Sequence, residues 1–563
     1  MISKQKKIGT IIAFVCILAI IVIVIAINNG DKRTAMIVFQ KDNQMHFMYA
    51  SKKEPVQLTE QMYEQGNKLI SPTFIVTDNA KKIFYSDNIK DRVYDLYYKD
   101  IKKNKSVKVA SGVKSYEVSI DGKKVYYISE DALYCYDMKE SKKIADKVSR
   151  FYISDNGKKV LYITTDSASL YYKNGNKEAK KLATEASVVS HTDNFKQIAY
   201  ISNGSLYITD AKDKTETIAD DVTQYIMYDN KDIIYITSDD YSVTYASIIT
   251  DSLKGETAPS ISSDEYVDYT IRNMVRQQVL EDESLKYEYS VRTLYYYDGK
   301  KSEMIKANMG TICDSIIDEK QLVYTTYESM SMPKMDIKVF NEYSGIQYKE
   351  DIDNYITNLL LGKPTYNLLI GDTNHSLPID GTTIKKCVLK NDGSALYYIK
   401  DTALCEQKIS GRRLKKATEY ATNVSVLATY PYAESIVYVK DYDAAKNRGS
   451  LYMDDKLVDN EVFIPGESLN YVEINDDCVA YLHNYSYDTD NGTLKYYDGK
   501  KATVISENIE YGKYYMLANN QLAYLKDKVL YIADAKNNRK VAENVQTVYR
   551  YIYSDDNKKA YYK

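Results

Sequence analysis

Any histidine-based chemistry in this chain would have to come from four residues, His46, His191, His375 and His483. None of them stands in an H-E-x-x-H arrangement or another metal-binding spacing. The sequence also contains no G-x-S-x-G nucleophile elbow, no Walker A loop and no G-x-G-x-x-G loop before a helix. We therefore predict no catalytic, cofactor-binding or metal-binding residues, no cofactor, and a protein that is not an enzyme.

Carboxylates and thiols are the other groups that could do chemistry. The acidic loop 488–492 (DTDNG) is faintly similar to a D-x-D-x-D-G calcium loop, but it lacks a third well-placed carboxylate and a distal Glu. We expect a plain hairpin turn there, and solvated loop tips at Asp441 and Asp443. The cysteines outside the apolar N-terminal stretch are odd in number and form no C-x-x-C, which favours separate buried thiols over a zinc site or a disulfide framework: Cys135, Cys313, Cys387, Cys405 and Cys478.

The composition limits the classes of partner. The chain has 563 residues, with Lys+Arg 75 against Asp+Glu 78 and a formal charge of -3. This balance gives no basic excess for nucleic acid, so we predict no nucleic-acid partner. Tyr 59 and Trp 0 are the unusual counts, and strands accommodate tyrosine better than helices do.

An apolar stretch near the N-terminus, residues 8–27, carries no charge. At about 1.5 Å per residue it would span the roughly 30 Å of a bilayer core. Lys4, Lys6 and Lys7 precede it, so we expect a transmembrane helix over 8–27, a cytoplasmic tail over 1–7 and an extracytoplasmic remainder. The alternative is a cleaved signal peptide, although the stretch exceeds the roughly 7–15 residues of an h-region and no A-x-A site follows. Abundant Lys, Asn, Ile and Tyr suggest an AT-rich, Gram-positive bacterium.

A fixed pattern recurs after this stretch. A turn rich in Asp, Asn and Gly precedes an apolar strand that contains a tyrosine, and eight of the ten spacings between these tyrosines fall between 35 and 43 residues. The marks are Tyr85, Tyr127, Tyr162, Tyr200, Tyr235, Tyr324, Tyr398, Tyr438, Tyr481, Tyr524 and Tyr562. In the unit around Tyr162, turns rich in Asp, Asn, Ser and Gly separate four short runs, and in most units the third run carries a Leu-Tyr pair. The pattern predicts antiparallel four-stranded sheets repeated along the chain.

The marked strands are apolar on both faces. In the segment VLYIT, Val160 and Tyr162 face one way while Leu161 and Ile163 face the other. The spacers are too short for the crossover helices of a parallel sheet, and a sandwich buries only one face of each sheet. We therefore expect an all-β fold in which each sheet is covered by its neighbours, a β-propeller built from blades of about 40 residues.

The unit DGKKVYYIS (residues 121–129), followed by LYCYD (133–137), resembles the repeat of TolB-type, WD40-like β-propeller proteins. The similarity covers most of the chain after residue 70. The proline that precedes Asp in that family is replaced here, for example by Ile120. The resemblance implies the blade geometry and leaves function open, because propellers host unrelated activities.

We predict two propeller lobes, over residues 35–309 and 311–563, with one large ring as the alternative. The terminal segments are expected to share a blade. Helical insertions are predicted at about 262–287, with Val267, Ile271, Val275 and Val279 on one apolar face, and at about 352–361 before Gly362 and Pro364.

The predicted function is a membrane-anchored, extracytoplasmic binding or scaffold module for a protein or a cell-envelope polymer. An alternative is a cell-envelope hydrolase or lyase with its site at a propeller channel. A third is an envelope sensor, which would need a partner helix in the membrane because the cytoplasmic tail is short.

Overall fold

The computed structural model describes residues 35–60, 73–77, 81–210, 214–228, 232–252, 254–328, 332, 334–338, 349–380, 384–430, 434–517, 519–549, 551–553 and 560–562. Contacts divide the chain into two compact units. Unit 1 comprises the described parts of Met1–Lys114 and Asn470–Lys563, together with Ile120–Gly122. Unit 2 comprises Ser115–Ser119 and Lys123–Leu469. Both units consist mainly of antiparallel β-strands, as the sequence predicts.

The strands of unit 1 form four groups of hydrogen-bonded neighbours. The first is Val56–Gln57, Gln44–Tyr49, Met36–Lys41 and Val545–Tyr549. The second is Tyr551–Tyr553, Ala560–Tyr562, Phe74–Val76, Lys82–Lys90, Val93–Asp100 and the start of Lys105–Val118. The third is Glu473–Asn475, Cys478–Ser486, Asn491–Tyr497 and Ala502–Ile509. The fourth is Tyr514–Met516, Leu522–Lys526, Val529–Ala533 and Asn538–Ala542.

Unit 2 contains seven such groups in chain order. The first group is Val125–Ser129, Ala132–Tyr136 and Ser141–Ala145. The second is Val148–Ile153, Lys159–Thr164, Leu170–Asn174 and Lys180–Ala183. The third is Ala186–His191, Gln197–Ser202, Ser205–Asp210 and Thr215–Ala219. The next two are Val222–Met227, Ile233–Thr244, Lys286–Tyr297 and Ser302–Lys306; and Met309–Ile316, Gln321–Thr326, Thr365–Ile370 and Thr373–Asp380. The last two are Ile384–Leu389, Ala395–Lys400, Ala403–Ser410, Arg413–Leu414 and Thr418–Ala421; and Val424–Ala428, Val437–Asp443, Arg448–Met453 and Lys456–Phe463.

Burial on both faces of the marked strands is confirmed. Val160 and Tyr162 belong to a cluster with side chains of the preceding sheet, such as Tyr126. Leu161 and Ile163 belong to a different cluster, shared with Ile198 and Tyr200 of the next sheet. This sheet is therefore covered on both sides by its sequence neighbours, while the radial arrangement of the sheets into blades stays a prediction.

The marked tyrosines from Tyr85 to Tyr524 are buried, and most of them are paired. Seven stack face to face on the tyrosine opposite them in the Leu-Tyr strand, with ring centroids 5.0–5.8 Å apart and ring planes within 6–17°. The pairs are Tyr85–Tyr97, Tyr127–Tyr134, Tyr162–Tyr171, Tyr200–Tyr207, Tyr235–Tyr295, Tyr438–Tyr452 and Tyr524–Tyr531. The hydroxyl groups reach the outer strand, as when Tyr127 donates to Ser141 Oγ at 2.8 Å. The tyrosine excess is thus accounted for by the packing of the sheets.

Among the described residues of unit 2, three α-helices lie between the strands: α1 (Tyr245–Ile248), α2 (Glu265–Glu281) and α3 (Lys349–Leu361). They share a core with the parallel strand pair Ile249–Thr250 and Met335–Asp336. Helix α3 ends before Gly362, as predicted, and the Gly362 N–H donates to the Asn358 carbonyl at 3.2 Å. Two short 3-10 helices, Asp193–Phe195 and Pro465–Glu467, complete the described helical structure.

Helix α2 differs from its prediction in two ways. It begins at Glu265, whose N–H donates to Ser263 Oγ at 3.2 Å, so the predicted start at residue 262 is too early. Val279 is fully buried, whereas Val267 and Ile271 are exposed. Residues four apart advance about 40° around a helix, so a stripe built only from such steps rotates from solvent into the core along α2.

The terminal segments pair as predicted, in two places. Met36–Lys41 pairs antiparallel with Val545–Tyr549, and Phe74–Val76 pairs with Ala560–Tyr562. This pairing places the two ends of the chain in unit 1. The compact units consequently follow different boundaries from the lobes predicted over 35–309 and 311–563, and the number of rings stays a prediction.

The predicted localisation must be corrected. Of the helices that the structure describes, none is long and apolar enough to cross a membrane. The longest, α2, has 17 residues and carries both acidic and basic side chains. The predicted transmembrane helix over 8–27, with Cys16, and the predicted tail over 1–7 lie outside the described residues. The localisation in a cell membrane, with an extracytoplasmic β region, is thus contradicted by the structure that is described.

Candidate functional site

A cavity of about 740 Å³ opens in unit 1 between the turn that follows Gln44–Tyr49 and the turn that follows Val93–Asp100. Its floor is apolar. Phe47 and Met48 are buried there, while Tyr49, Val56 and Ile101 are half-buried and accessible from the cavity. Phe47 and Met48 belong to the cores on either side of their strand, which holds the floor in place.

The rim of this cavity is basic. Lys52, Lys53, Lys81 and Lys102 line it with their side chains exposed, and Glu54 is the only acidic residue of the lining. Four ammonium groups against one carboxylate give the lining a formal charge of +3. We call this feature the lysine cavity.

The lysines are positioned by ordinary backbone contacts. The Lys52 N–H donates to the Tyr49 carbonyl at 2.9 Å and closes the turn that carries Lys52 and Lys53. The Ile101 N–H donates to the Lys81 carbonyl at 2.9 Å, which brings the chain at Lys102 beside Lys81. Two stretches about 50 residues apart in the chain thus contribute to one rim.

The rim charges are largely uncompensated. Among the described residues, no carboxylate lies within 4.0 Å of the ammonium group of Lys52, Lys53 or Lys102. Lys99, on the neighbouring strand, is buried instead and donates to the Gln57 carbonyl at 3.2 Å, and burial lowers its pKa. The ammonium groups of Lys52, Lys53 and Lys102 around an apolar floor attract an anionic group, and the floor lets an attached apolar group leave water.

The lysine cavity was not predicted from the sequence. Lysine is common throughout this chain, and K-K pairs next to turns are part of its repeat. The only signal was the segment SKKEP at 51–55, and nothing in its spacing shows that Lys81 and Lys102 are its neighbours in space.

The four histidines lie on four different strands, each with its own local surroundings. The ring of His46 stacks on Phe39 with centroids 5.8 Å apart, and burial lowers its pKa. The ring centroids of His191 and Phe195 are 4.3 Å apart. His375 Nε2 donates a hydrogen bond to the Arg412 carbonyl at 2.8 Å. His483 lies in Cys478–Ser486. In the described ranges, no three His, Cys, Asp or Glu side chains gather as a metal site.

Residues 487–490 form a hairpin turn between Cys478–Ser486 and Asn491–Tyr497, as expected for the acidic loop 488–492, whose last two residues begin the second strand. Asp490 accepts a hydrogen bond from the Tyr485 hydroxyl. Asp443 accepts the N–H groups of Ala445 and Lys446, so it also serves a turn. These carboxylates have structural partners within their own hairpins.

A second cavity, of about 400 Å³, lies in unit 2. It is lined by Cys313 and Cys387 together with Asp314, whose carboxylate accepts the Leu389 N–H at 2.7 Å. Burial raises the pKa of both thiols and of Asp314. A thiol with a raised pKa is a poor nucleophile, so the arrangement does not favour cysteine catalysis. All five cysteines of the described chain are free.

Comparison with known proteins gives no assignment. No protein-family model and no curated protein matches the chain. A solved eukaryotic initiation factor aligns over 87% of this chain and 99% of its own, with 8% identity and a TM-score of 0.38. TolB from Acinetobacter baumannii aligns over 37% of this chain and 59% of its own, with 17% identity and a TM-score of 0.23.

The β-propeller domain of the Trilobed protease from Pyrococcus furiosus aligns over 62% of this chain and 98% of its own, with 13% identity and a TM-score of 0.25. Because all these TM-scores and identities are low, the similarities carry no argument about the radial arrangement of the sheets or about activity. The lysine cavity is therefore the feature of this chain on which a function can be argued.

Proposed function

We propose that this protein is a non-catalytic binding module that holds an acidic segment of a partner protein in the lysine cavity. One observation carries the proposal: Lys52 and Lys53 from one turn and Lys102 from another surround one apolar floor, and none of the three has a carboxylate partner among the described residues. The stacked sheets would supply the rigid scaffold, which we propose to be a TolB-type β-propeller.

The chemistry of the cavity favours a protein segment over a cell-envelope polymer. An anionic polymer without apolar groups would satisfy Lys52, Lys53 and Lys102 but leave Val56 and Ile101 in contact with water. A peptide with alternating acidic and apolar side chains satisfies both parts of the cavity. Its carboxylates meet the rim, and its apolar side chains cover the floor.

The test is a binding measurement on the full-length protein with three peptides of equal length. One alternates Glu and Leu, the second replaces Glu by Gln, and the third is poly-Glu. We expect measurable binding of the Glu/Leu peptide, loss of binding with the Gln peptide and weaker binding of poly-Glu. Affinity for the Glu/Leu peptide should fall as salt is raised from about 50 mM to about 500 mM, because screening weakens the lysine contacts.

The matching variant replaces Lys52, Lys53 and Lys102 by Gln. Each exposed contact is worth roughly 0.2–1 kcal/mol, so we expect about tenfold weaker binding of the Glu/Leu peptide. A control with the same loss of charge replaces the exposed lysines Lys300, Lys500 and Lys536 by Gln and should bind like the wild type. Equal affinity in both variants, or stronger binding of poly-Glu than of the Glu/Leu peptide, would contradict the proposal.

The predicted alternative, a hydrolase or lyase of the cell envelope, requires acidic or histidine side chains that converge on one mouth of a channel. The histidines lie on separate strands with separate neighbours, and the described acidic loops serve turns. No observation favours this alternative over binding, and we do not propose it as a second function.

A further inference from the structure

Helix α2 presents an apolar stripe to solvent. Val267, Ile271 and Met274 follow one another at steps of four and three residues, so they lie on one face. Their side chains are 62%, 51% and 65% exposed. Three large aliphatic side chains exposed in one row form a patch of the kind that marks an interaction site, whereas single exposed aliphatics are ordinary.

The other face of α2 holds the helix firmly on unit 2. Val279 is fully buried in the core that α1 and α3 share. Arg276 Nε lies 2.8 Å from both carboxylate oxygens of Asp251, and the Arg272 guanidinium lies 3.2 Å from Glu256. The stripe is thus carried by a helix whose position is fixed, not by a loose segment.

These ion pairs also determine the charge of the outer face. They turn both arginines of α2, its only basic residues, away from the stripe. Asp264 and Asp268 flank the stripe on one side and Glu281 on the other, and all three are exposed. The outer face is therefore an apolar row whose charged neighbours on α2 are acidic, with the exposed neutral side chains of Thr270, Gln277 and Gln278 beside them.

We propose that the outer face of α2 docks an amphipathic helix of a partner protein, with an apolar stripe flanked by Lys or Arg. Such a helix would cover Val267, Ile271 and Met274 and place its basic side chains against the acidic borders, as in heterotypic coiled coils. A second copy of this chain fits poorly, because it would bring acidic borders against acidic borders. The inference is independent of the lysine cavity, which has the opposite charge.

A defined peptide tests this proposal on the full-length protein. We would use a labelled helix of about three heptads, with Leu at positions a and d and Lys at e and g, whose own charges prevent self-pairing. Calorimetry should show one peptide bound per chain, with an affinity that falls as salt increases. The same peptide with Gln in place of Lys should bind at least about tenfold more weakly.

Two surface variants separate the contributions of the stripe and its borders. Replacing Val267, Ile271 and Met274 by Ser should weaken binding of the Lys peptide at least about thirtyfold, because the apolar contact area is removed. The variant Asp264→Asn with Asp268→Asn should weaken binding about threefold to tenfold and reduce its salt dependence. The side chains concerned are exposed, so we expect only a small decrease in Tm, including for the Asp variant, in which Asp264 and Asp268 no longer interact with the N-terminus of α2.

The control variant removes an equal number of exposed aliphatic side chains from strands and turns elsewhere: Ile317, Leu457 and Val504, each replaced by Ser. Its affinity for the Lys peptide should equal that of the wild type. Equal weakening in the control and stripe variants would overturn the proposal, as would unaltered binding in the stripe variant. Sedimentation that shows a dimer of the wild-type chain dissociated by Ile271→Lys would overturn it in favour of a second copy.

Discussion

At the scale of single residues, each paired tyrosine makes two kinds of contact in this fold. Its ring stacks on a tyrosine of the next strand, and its hydroxyl reaches a polar group near the edge of the sheet, as in Tyr85 to Ser106 at 3.1 Å. Where the opposite residue is not tyrosine, the hydroxyl still has a partner: Tyr324 faces Asn367 across the strands and donates to Asn374 at 3.0 Å. Phenylalanine would supply the ring without the second contact, which explains why tyrosine dominates.

This burial has a consequence for stability at high pH. Burial raises the pKa of Tyr85, Tyr225 and Tyr398 to about 12, from an ordinary value of 10.0. The folded state therefore holds these protons more tightly than the unfolded state does. Their contribution to the free energy of unfolding is intact below pH 10 and is lost as pH rises from 10 towards 12.

Denaturant unfolding at a series of pH values measures the effect. We expect a constant free energy of unfolding near pH 8–9 and a decrease of about 1.4 kcal/mol per pH unit for each such tyrosine above pH 10. The variant Tyr85→Phe should show a shallower decrease than the wild type. A free energy of unfolding that does not change up to pH 11.5 would contradict this expectation.

Patterns formed by residues close together in the chain correctly predicted which side chains of the marked strands are buried. Alternation of Val160 and Leu161 between two faces indicated burial on both sides, and two different clusters now contain them. The lysine cavity escaped prediction, because its charge arises only where the turns at Lys52 and Lys102 meet. The periodicity of a sequence describes one strand at a time, so it does not show which distant turns lie close together in the fold.

At the scale of elements, the Asx-Gly turns adopt the backbone that the sequence predicted. Gly393, after Asp392, has φ +67°, and its carbonyl accepts a hydrogen bond from the buried side chain of Gln321 at 2.8 Å. A Cβ atom at this position would lie 2.6 Å from Glu319 Cγ and 2.9 Å from Gln321 Nε2. The turn therefore needs glycine for its backbone conformation and also for space.

Gly393→Ala should lower the free energy of unfolding by about 2–4 kcal/mol, from backbone strain plus displacement of Gln321. Gly411 is a matched control, because its φ is +56° and a Cβ atom there would meet nothing within 4 Å. Gly411→Ala should cost only about 1 kcal/mol. Equal losses in the two variants, measured by denaturant unfolding, would show that crowding at Gly393 does not matter.

For helix α2, the sequence predicted the helix itself but not which of its apolar side chains are buried. Its position in the chain followed from periodicity, and Val279 lies in the core as expected. The exposure of Val267 and Ile271 did not follow, because hydrophobicity along a helix does not reveal how far the supporting core extends. Of the α2 side chains, that core includes Val279 and Leu280 near the C-terminal end of the helix and does not include Val267 or Ile271.

At the scale of the whole molecule, the pairing of distant chain ends is the main structural constraint. Gln40 lies opposite Thr547 in the antiparallel register, at a separation of Cα atoms that suits a disulfide. Oxidation of the variant Gln40→Cys with Thr547→Cys should form a crosslink that alters mobility on a non-reducing gel.

The control is Gln40→Cys with Val548→Cys, since Val548 pairs with Phe39 and its side chain points to the opposite face of the sheet. This variant should crosslink far more slowly. Comparable crosslinking in both would mean that the ends are not held in this register.

The sequence also anticipated that the ends would share sheets, from the incomplete repeats at both termini. It did not anticipate the boundaries of the two compact units, since these depend on which strands contact one another rather than on repeat counting. The membrane location, argued from residues 8–27 alone, is not supported by the helices that the structure describes.

The pairing of Met36–Lys41 with Val545–Tyr549 has a consequence for biosynthesis. About 500 residues separate the two strands, and at roughly 5–20 residues per second the ribosome needs about 25–100 s to deliver the second one. Until then, the strand Met36–Lys41 lacks its partner, and its unpaired backbone groups can form hydrogen bonds with strands of other polypeptides. We expect the yield of the protein in cells to depend on a chaperone that shields this strand, and premature stop codons close to the end of the message to be as damaging as early ones.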